Sequence, residues 1–185
     1  MWNPPQAVER IAACHPSARW HRVAGRLNDM KPIYHYTTAD RFMKILEAEE
    51  ITPATAHVEP PEIPAVWLSI AAEWEHTATK GIINKDGERR NATFAEMIGI
   101  CGSLVRIEID PSQVTVIPPL KLRERLRMES PVWDGLIKAA RVVGANPIEW
   151  RAVAGPIPDE AWLRVWVTKE HAPFRWVELC SDGAE

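Results

Sequence analysis

The hydrophobic residues of the chain follow two different periods, and each period predicts one type of secondary structure. Short runs that are apolar throughout, or that alternate apolar and polar residues, are typical of strands, because successive side chains of a strand point to opposite faces. The alternation is clearest in Leu104–Ile109, where Arg106 and Glu108 fall on the polar side and a half-exposed strand is predicted. Strands are predicted in this way at 33–38, 66–70, 104–109, 114–117, 149–153, 162–167 and 175–179.

Apolar residues at a spacing of three or four, together with capping residues, predict the helices. The clearest helix lies between Ser130-Pro131, a typical start, and Gly144, a typical stop. Prolines keep the segment 55–64 irregular, and the charged segment 80–91, with a turn signal at Asp86-Gly87, is predicted to be a mobile flap. Helices are predicted at 3–14, 17–27, 38–52, 71–79 and 130–143.

The mixed order of these elements favours an α+β fold with largely antiparallel sheets over a doubly wound one. A chain of 185 residues, 46% of them hydrophobic, is long enough to bury one sizeable core, and we interpret residues 1–185 as a single domain. Neither a GxGxxG nor a GxxxxGK[ST] motif occurs. Phosphate binding of the Rossmann or P-loop type therefore has no support in the sequence.

Charge and cysteine content indicate which partners and which cellular compartment to expect. The formal net charge is -3, which gives no overall attraction to nucleic acid, although the run Lys121–Arg127 is locally basic. The three cysteines, Cys14, Cys101 and Cys180, show neither disulfide nor zinc-site spacing, so we expect a reducing compartment and no metal. No signal peptide or membrane span is evident, which predicts a soluble, cytoplasmic protein, although an injected effector would look the same.

Three short motifs carry the candidate chemistry. The first is Tyr34-His35-Tyr36-Thr37, in which strand geometry places the two tyrosines on one face and the imidazole on the other. The second is Val66-Trp67-Leu68-Ser69, and the third is Glu149 at the start of a late predicted strand. Taken alone, each has an ordinary structural reading, and Glu149 in particular could be a surface glutamate paired with Arg151.

In this order, the three motifs resemble the His/aromatic/Glu arrangement of ADP-ribosyltransferases of the diphtheria-toxin and poly-ADP-ribose-polymerase type. The resemblance covers roughly 33–167 and implies split antiparallel sheets with flanking helices, which form a cleft that binds NAD. It implies that His35 bonds a ribose hydroxyl or the adenosine side, that the backbone of Tyr36 holds the carboxamide beside Thr37, and that Ser69 assists. Trp67 stands where the family usually has tyrosine and would offer a face for nicotinamide stacking.

The resemblance further implies that Glu149 is the catalytic carboxylate, because cleavage of the nicotinamide–ribose bond develops positive charge that a nearby anion stabilises. Glu73, Glu75 and Glu108 are competitors for that role. The implied activity is transfer of ADP-ribose from NAD, as substrate, to an unknown protein or nucleic-acid acceptor.

Three alternatives stay open at this point. One is a nucleotide-binding module without turnover, which the tryptophan at position 67 favours. Another is an enzyme like the RNA 2′-phosphotransferases, using Arg19, His21 and His35 around a phosphate. The last is a plain interaction domain that binds no nucleotide.

Overall fold

The computed structural model describes residues 31–168 and 175–179. The predicted helices at 3–14 and 17–27 lie outside the described residues. The strands are β1 (Ile33–Thr38), β2 (Glu50–Ile51), β3 (Val66–Ser69), β4 (Gly81–Ile83), β5 (Arg89–Asn91), β6 (Leu104–Ile109), β7 (Trp150–Val153), β8 (Ile157–Pro158), β9 (Trp162–Thr168) and β10 (Trp176–Glu178). The helices are α1 (Ala39–Ala48), α2 (Phe94–Cys101), α3 (Leu122–Arg125) and α4 (Ser130–Val142), with 3-10 turns at Pro119–Lys121, Pro147–Glu149 and Asp159–Ala161.

Six strands form one antiparallel sheet in the order β10-β9-β6-β1-β3-β7. The predicted α+β class with antiparallel pairing is thereby confirmed. Strand β1 pairs with β6 along its whole length, from Ile33 opposite Ile109 to Thr38 opposite Leu104. On its other side, β1 pairs with β3 at a single position among the described residues, where Tyr34 lies opposite Ser69. The sheet is therefore continuous, but its join between β1 and β3 is narrow.

One face of the sheet is mainly apolar and is covered by α1. The odd-numbered residues of β6 are fully buried on this face against Phe42 and Leu46 of the helix. Thr38 caps α1 by accepting a hydrogen bond from the Arg41 backbone, and the helix ends at Glu49, which has a left-handed conformation. The predicted helix after Thr38 is confirmed, and it ends a turn earlier than Pro53.

The opposite face carries a layer of aromatic side chains. Tyr34 and Tyr36 of β1 lie beside Trp166 of β9, and α2 packs Phe94 and Met97 onto them. A third cluster packs α3 and α4 against β7. It contains Ala65, Ile117, Leu122, Leu126, Ala140, Trp150 and Ala152.

Several local predictions were wrong, and each has a tertiary cause. Segment 71–79 is a series of bends and turns instead of a helix, because its backbone carbonyls are bound by side chains from elsewhere. Segment 114–117 forms a single bridge, Ile117 opposite Ala152, instead of a strand. Strand β6 is buried on both faces, since Glu108, only 5% exposed, is paired with Arg164 of β9.

The segment 80–91, predicted as a flap, is a short hairpin of β4 and β5 whose turn is closed by Asn84. Helix α2 was not predicted, although Thr93 and Glu96 form a capping box that the sequence displays. Among residues 31–168 and 175–179, no helix combines the length and the apolar character needed to cross a bilayer.

Candidate functional site

A cavity of about 410 Å³ lies beside the narrow join between β1 and β3. Its size falls within the range of about 300–1,000 Å³ that is typical of small-molecule sites. Four of the residues expected to bind NAD line it, His35, Tyr36, Trp67 and Ser69. The remaining wall is formed by Tyr34, Leu68, Glu75, Thr77, Ala78, Thr79, Asn91, Leu136, Ala139, Val143 and Trp150.

The imidazole of His35 lies at the join between the two strands. Its Nδ1 is 3.1 Å from the carbonyl oxygen of Trp67 on β3. The ring therefore connects the two strands at a position where their backbones are not paired. A carbonyl oxygen can only accept, and Nδ1 therefore carries the proton and Nε2 keeps a free lone pair in the neutral ring. Burial lowers the pKa of His35, the Trp67 carbonyl opposes this effect, and repulsion by Arg41 adds to it, so the neutral form is favoured.

Glu75 is the buried carboxylate of the cavity. It is 7% exposed and accepts hydrogen bonds from the hydroxyl of Ser69 at 2.7 Å, from the hydroxyl and amide of Thr77 at 2.8 and 3.1 Å, and from the indole of Trp150 at 3.3 Å. These donors satisfy the carboxylate and hold it in one orientation. Glu75 thereby ties β3, β7 and the loop after β3 together at the floor of the cavity.

Ser69 is already engaged within this network. Its hydroxyl donates to Glu75 and accepts from the backbone amide of Ala71 at 3.1 Å. A hydroxyl has one proton and two lone pairs, so one lone pair is left for a ligand. Ser69 can thus accept a hydrogen bond from a bound amide, but it cannot donate one without leaving Glu75.

Tryptophans and one helix form the apolar part of the wall. Trp67 packs edge-on against Trp150, with ring centroids 5.9 Å apart, and Trp150 packs in the same way on Trp133 of α4. Helix α4 and the residue after it contribute three further side chains to the cavity, and only Ala140 of the helix's thirteen residues is buried. The three are Leu136, Ala139 and Val143, which follows the helix directly.

Tyr36 and Thr37 differ in their relation to the cavity. The phenol of Tyr36 lies in the aromatic layer and donates to the carbonyl of Ala71, and burial raises its pKa although Arg106 opposes that shift. It therefore stays protonated as a donor at neutral pH. Thr37 pairs with Val105 and does not line the cavity.

Glu149 lies at the end of a 3-10 turn, one residue before β7, and not within the strand as expected. Its carbonyl accepts from the amide of Ile70, so its backbone is opposite the residue after Ser69. It lines a second cavity of about 370 Å³ with Ala71–His76 and Gly144–Asn146. Glu75 belongs to the walls of both cavities, and Glu149 only to the second.

Sequence reasoning placed Glu75 only among the competitors, because a glutamate beside His76 in a predicted helix has no distinguishing pattern. The available signal was the polar run Glu75–Thr79 directly after a buried strand that ends in Ser69, where a turn allows a carboxylate to accept from nearby hydroxyls and amides. The other competitors differ in position. Glu108 is paired with Arg164 on the aromatic face, and Glu73 lies on the second cavity.

Arg19 and His21, which the phosphate-transfer alternative requires, are not among the described residues. Within the described part of the chain, no three histidine, cysteine, aspartate or glutamate side chains are grouped so that they could hold a metal ion.

No family model matches the sequence, and no curated protein and no solved structure is significantly similar to it.

Proposed function

We propose that this chain binds NAD in the cavity beside β1 and β3 and transfers ADP-ribose from it to a macromolecular acceptor. The observation that carries the proposal is the adjacency of β1, β3 and β7 in the sheet. These three strands bear, or directly follow, the three motifs on which the resemblance to ADP-ribosyltransferases rests. His35, Trp67 and Ser69 line one cavity, and Glu149 lines the second cavity, which shares Glu75 with the first.

Three of the contacts expected for NAD have a matching group. The Nε2 lone pair of His35 can accept from a ribose hydroxyl, since Nδ1 is occupied by the Trp67 carbonyl. The remaining lone pair of Ser69 can accept from the amide of nicotinamide. The apolar wall of Trp67, Leu136 and Ala139 suits a flat aromatic ring.

In this proposal, one carboxylate positions other side chains and a second one is catalytic. Glu75 accepts four hydrogen bonds and acts as a positioning residue for Ser69 and Trp150. Glu149 is the group that stabilises the positive charge developing on the ribose and orients the incoming nucleophile. Its place on the second cavity, next to the first, suits a group that acts between donor and acceptor.

The test is release of nicotinamide and transfer of label from labelled NAD, measured for the wild type and for His35→Ala, Glu149→Gln and Glu75→Gln. We expect Glu149→Gln to lower turnover about 10²–10³-fold, as loss of one preorganised electrostatic group does. Circular dichroism controls for folding. Unchanged turnover in both His35→Ala and Glu149→Gln would reject this site, and loss in Glu75→Gln alone would move the catalytic role to Glu75.

A non-catalytic nucleotide-binding module is the second candidate. It is favoured by one observation, namely that the residue Glu149 is absent from the wall of the cavity that holds His35. Calorimetry separates the two functions. Binding of NAD without any release of nicotinamide, with or without acceptor extracts, supports the module over the transferase.

A further inference from the structure

Three successive carbonyl groups of the loop after β3 are held by three side chains of the aromatic layer. The carbonyl of Ala71 accepts from the phenol of Tyr36, and that of Ala72 accepts from the guanidinium of Arg106. The carbonyl of Glu73 accepts from the indole of Trp176 at 2.9 Å. The loop that leads to Glu75 is thereby fixed at three adjacent points from one side.

Arg106 is the centre of this arrangement. Its guanidinium carbon lies 4.4 Å from the ring centroid of Trp166, 4.8 Å from that of Tyr34 and 4.9 Å from that of Trp176. Its positive charge also opposes the rise that burial causes in the pKa of Tyr36. The planar cation thus stacks among the same rings whose polar ends hold the loop, an arrangement that lysine cannot reproduce because it lacks the planar fork.

We propose that Arg106 is a positioning residue for the candidate reaction, which acts through the loop 71–73 on Glu75 and, through Glu75, on Ser69 and Trp150. This inference rests on the proposed function for its kinetic part. Arg106 does not line the cavity and touches no ligand in this account. Its effect is to hold the carboxylate where the hydroxyl of Ser69 meets it at 2.7 Å.

Amide hydrogen exchange of Arg106→Lys tests the positioning directly and without reference to NAD. The reporting amides are those of Ala71, Thr77 and Ala78, each of which bonds within the loop. Loss of the guanidinium contacts should make them exchange about tenfold faster, as expected when roughly one net hydrogen bond is removed from a locally opening segment. Amides of β6 should keep their protection.

Arg164→Lys is the matched control, because Arg164 stacks on the same Trp166, with its guanidinium carbon 5.2 Å from the ring centroid, but bonds Glu108 and not the loop. It should leave the loop amides unchanged. Trp176→Phe is a second variant, which removes the bond to the Glu73 carbonyl and keeps an aromatic ring at this position, and it should accelerate the same amides if Arg106→Lys does not fold.

The kinetic expectation is a roughly tenfold lower rate of nicotinamide release in Arg106→Lys and not in Arg164→Lys. Unchanged exchange of the loop amides in Arg106→Lys and Trp176→Phe overturns the positioning role, as does faster exchange with unchanged turnover in an active enzyme. If the wild type never cleaves NAD but the loop amides of Arg106→Lys still exchange selectively faster, the proposed function is rejected and the structural role of Arg106 on the loop is upheld.

Discussion

The hydroxyl of Ser69 and the carboxylate of Glu75 are joined by a buried hydrogen bond of 2.7 Å across the turn that follows β3. This bond connects the strand that carries Trp67 to the loop that lines both cavities. The same carboxylate accepts from the indole of Trp150, so β7 is fixed relative to β3 by one side chain. The shape of the candidate site therefore depends on Glu75, a residue outside the three motifs.

Replacement of Glu75 should destabilise the fold. Glu75→Ala leaves the hydroxyl of Ser69 and the indole of Trp150 buried without an acceptor, and the expected cost is about 2–4 kcal/mol of unfolding free energy. Glu75→Gln retains one acceptor oxygen and should cost less. Urea denaturation followed by circular dichroism measures both, and Glu149→Ala, a half-buried side chain, serves as the comparison with an expected cost of less than about 1 kcal/mol. Equal costs for Ala at positions 75 and 149 would contradict the network.

The stability of the protein should fall on mild acidification because of His35. Its pKa is lowered in the fold, chiefly by burial, so the unfolded chain takes up a proton first as the pH drops below the ordinary histidine value of about 6.5. The stability is complete above that pH and is lost toward the lower folded pKa. Thermal denaturation of the wild type and His35→Gln between pH 8 and pH 5 checks this. The variant should show the smaller decline, and parallel curves would argue against a neutral buried imidazole.

The carboxyl group of Glu96, in the capping box of α2, should titrate well below the usual range for glutamate. Hydrogen bonds from Arg90, and then from the backbone and hydroxyl of Thr93, lower the pKa of Glu96 from 4.5 to about 2. Its contribution to stability is therefore present above about pH 4.5 and disappears as the pH falls through 2. Carboxyl titration by NMR measures this pKa directly. Arg90→Gln should raise it toward the ordinary value, and a wild-type pKa near 4.5 would show that the ion pair does not form in solution.

Local sequence patterns were sufficient to predict the elements whose formation depends mainly on their own residues. Strand β1, helix α1 and helix α4 follow from alternation, from the Thr38 cap and from Pro131 with Gly144. Strand β1 and helix α4 are found within one residue of the expected positions, and α1 begins as expected but ends about one turn early. The narrow join between β1 and β3 was not foreseeable, because register between distant strands is set by tertiary packing.

The candidate site was only partly predictable for the same reason. His35, Tyr36, Trp67 and Ser69 could be named because they stand in short strand motifs, and they line one cavity. Glu75 was not ranked first because its partner Trp150 lies 75 positions away. The loop 71–73 was expected to be helical because nothing in its sequence indicates that Tyr36 and Trp176 will donate hydrogen bonds to its carbonyl groups.

The measurement that tests the central claim most directly is calorimetric titration of NAD into the wild type, Ala139→Trp and Val142→Trp. Ala139 is exposed on α4 and lines the cavity, so an indole there fills the site without disturbing the core. Val142 is 77% exposed on the same helix and is not part of the wall. We predict that the wild type and Val142→Trp bind NAD equally and that Ala139→Trp binds at least about tenfold more weakly. No binding to the wild type, or equal binding to all three proteins, would contradict a dinucleotide site between β1, β3 and α4.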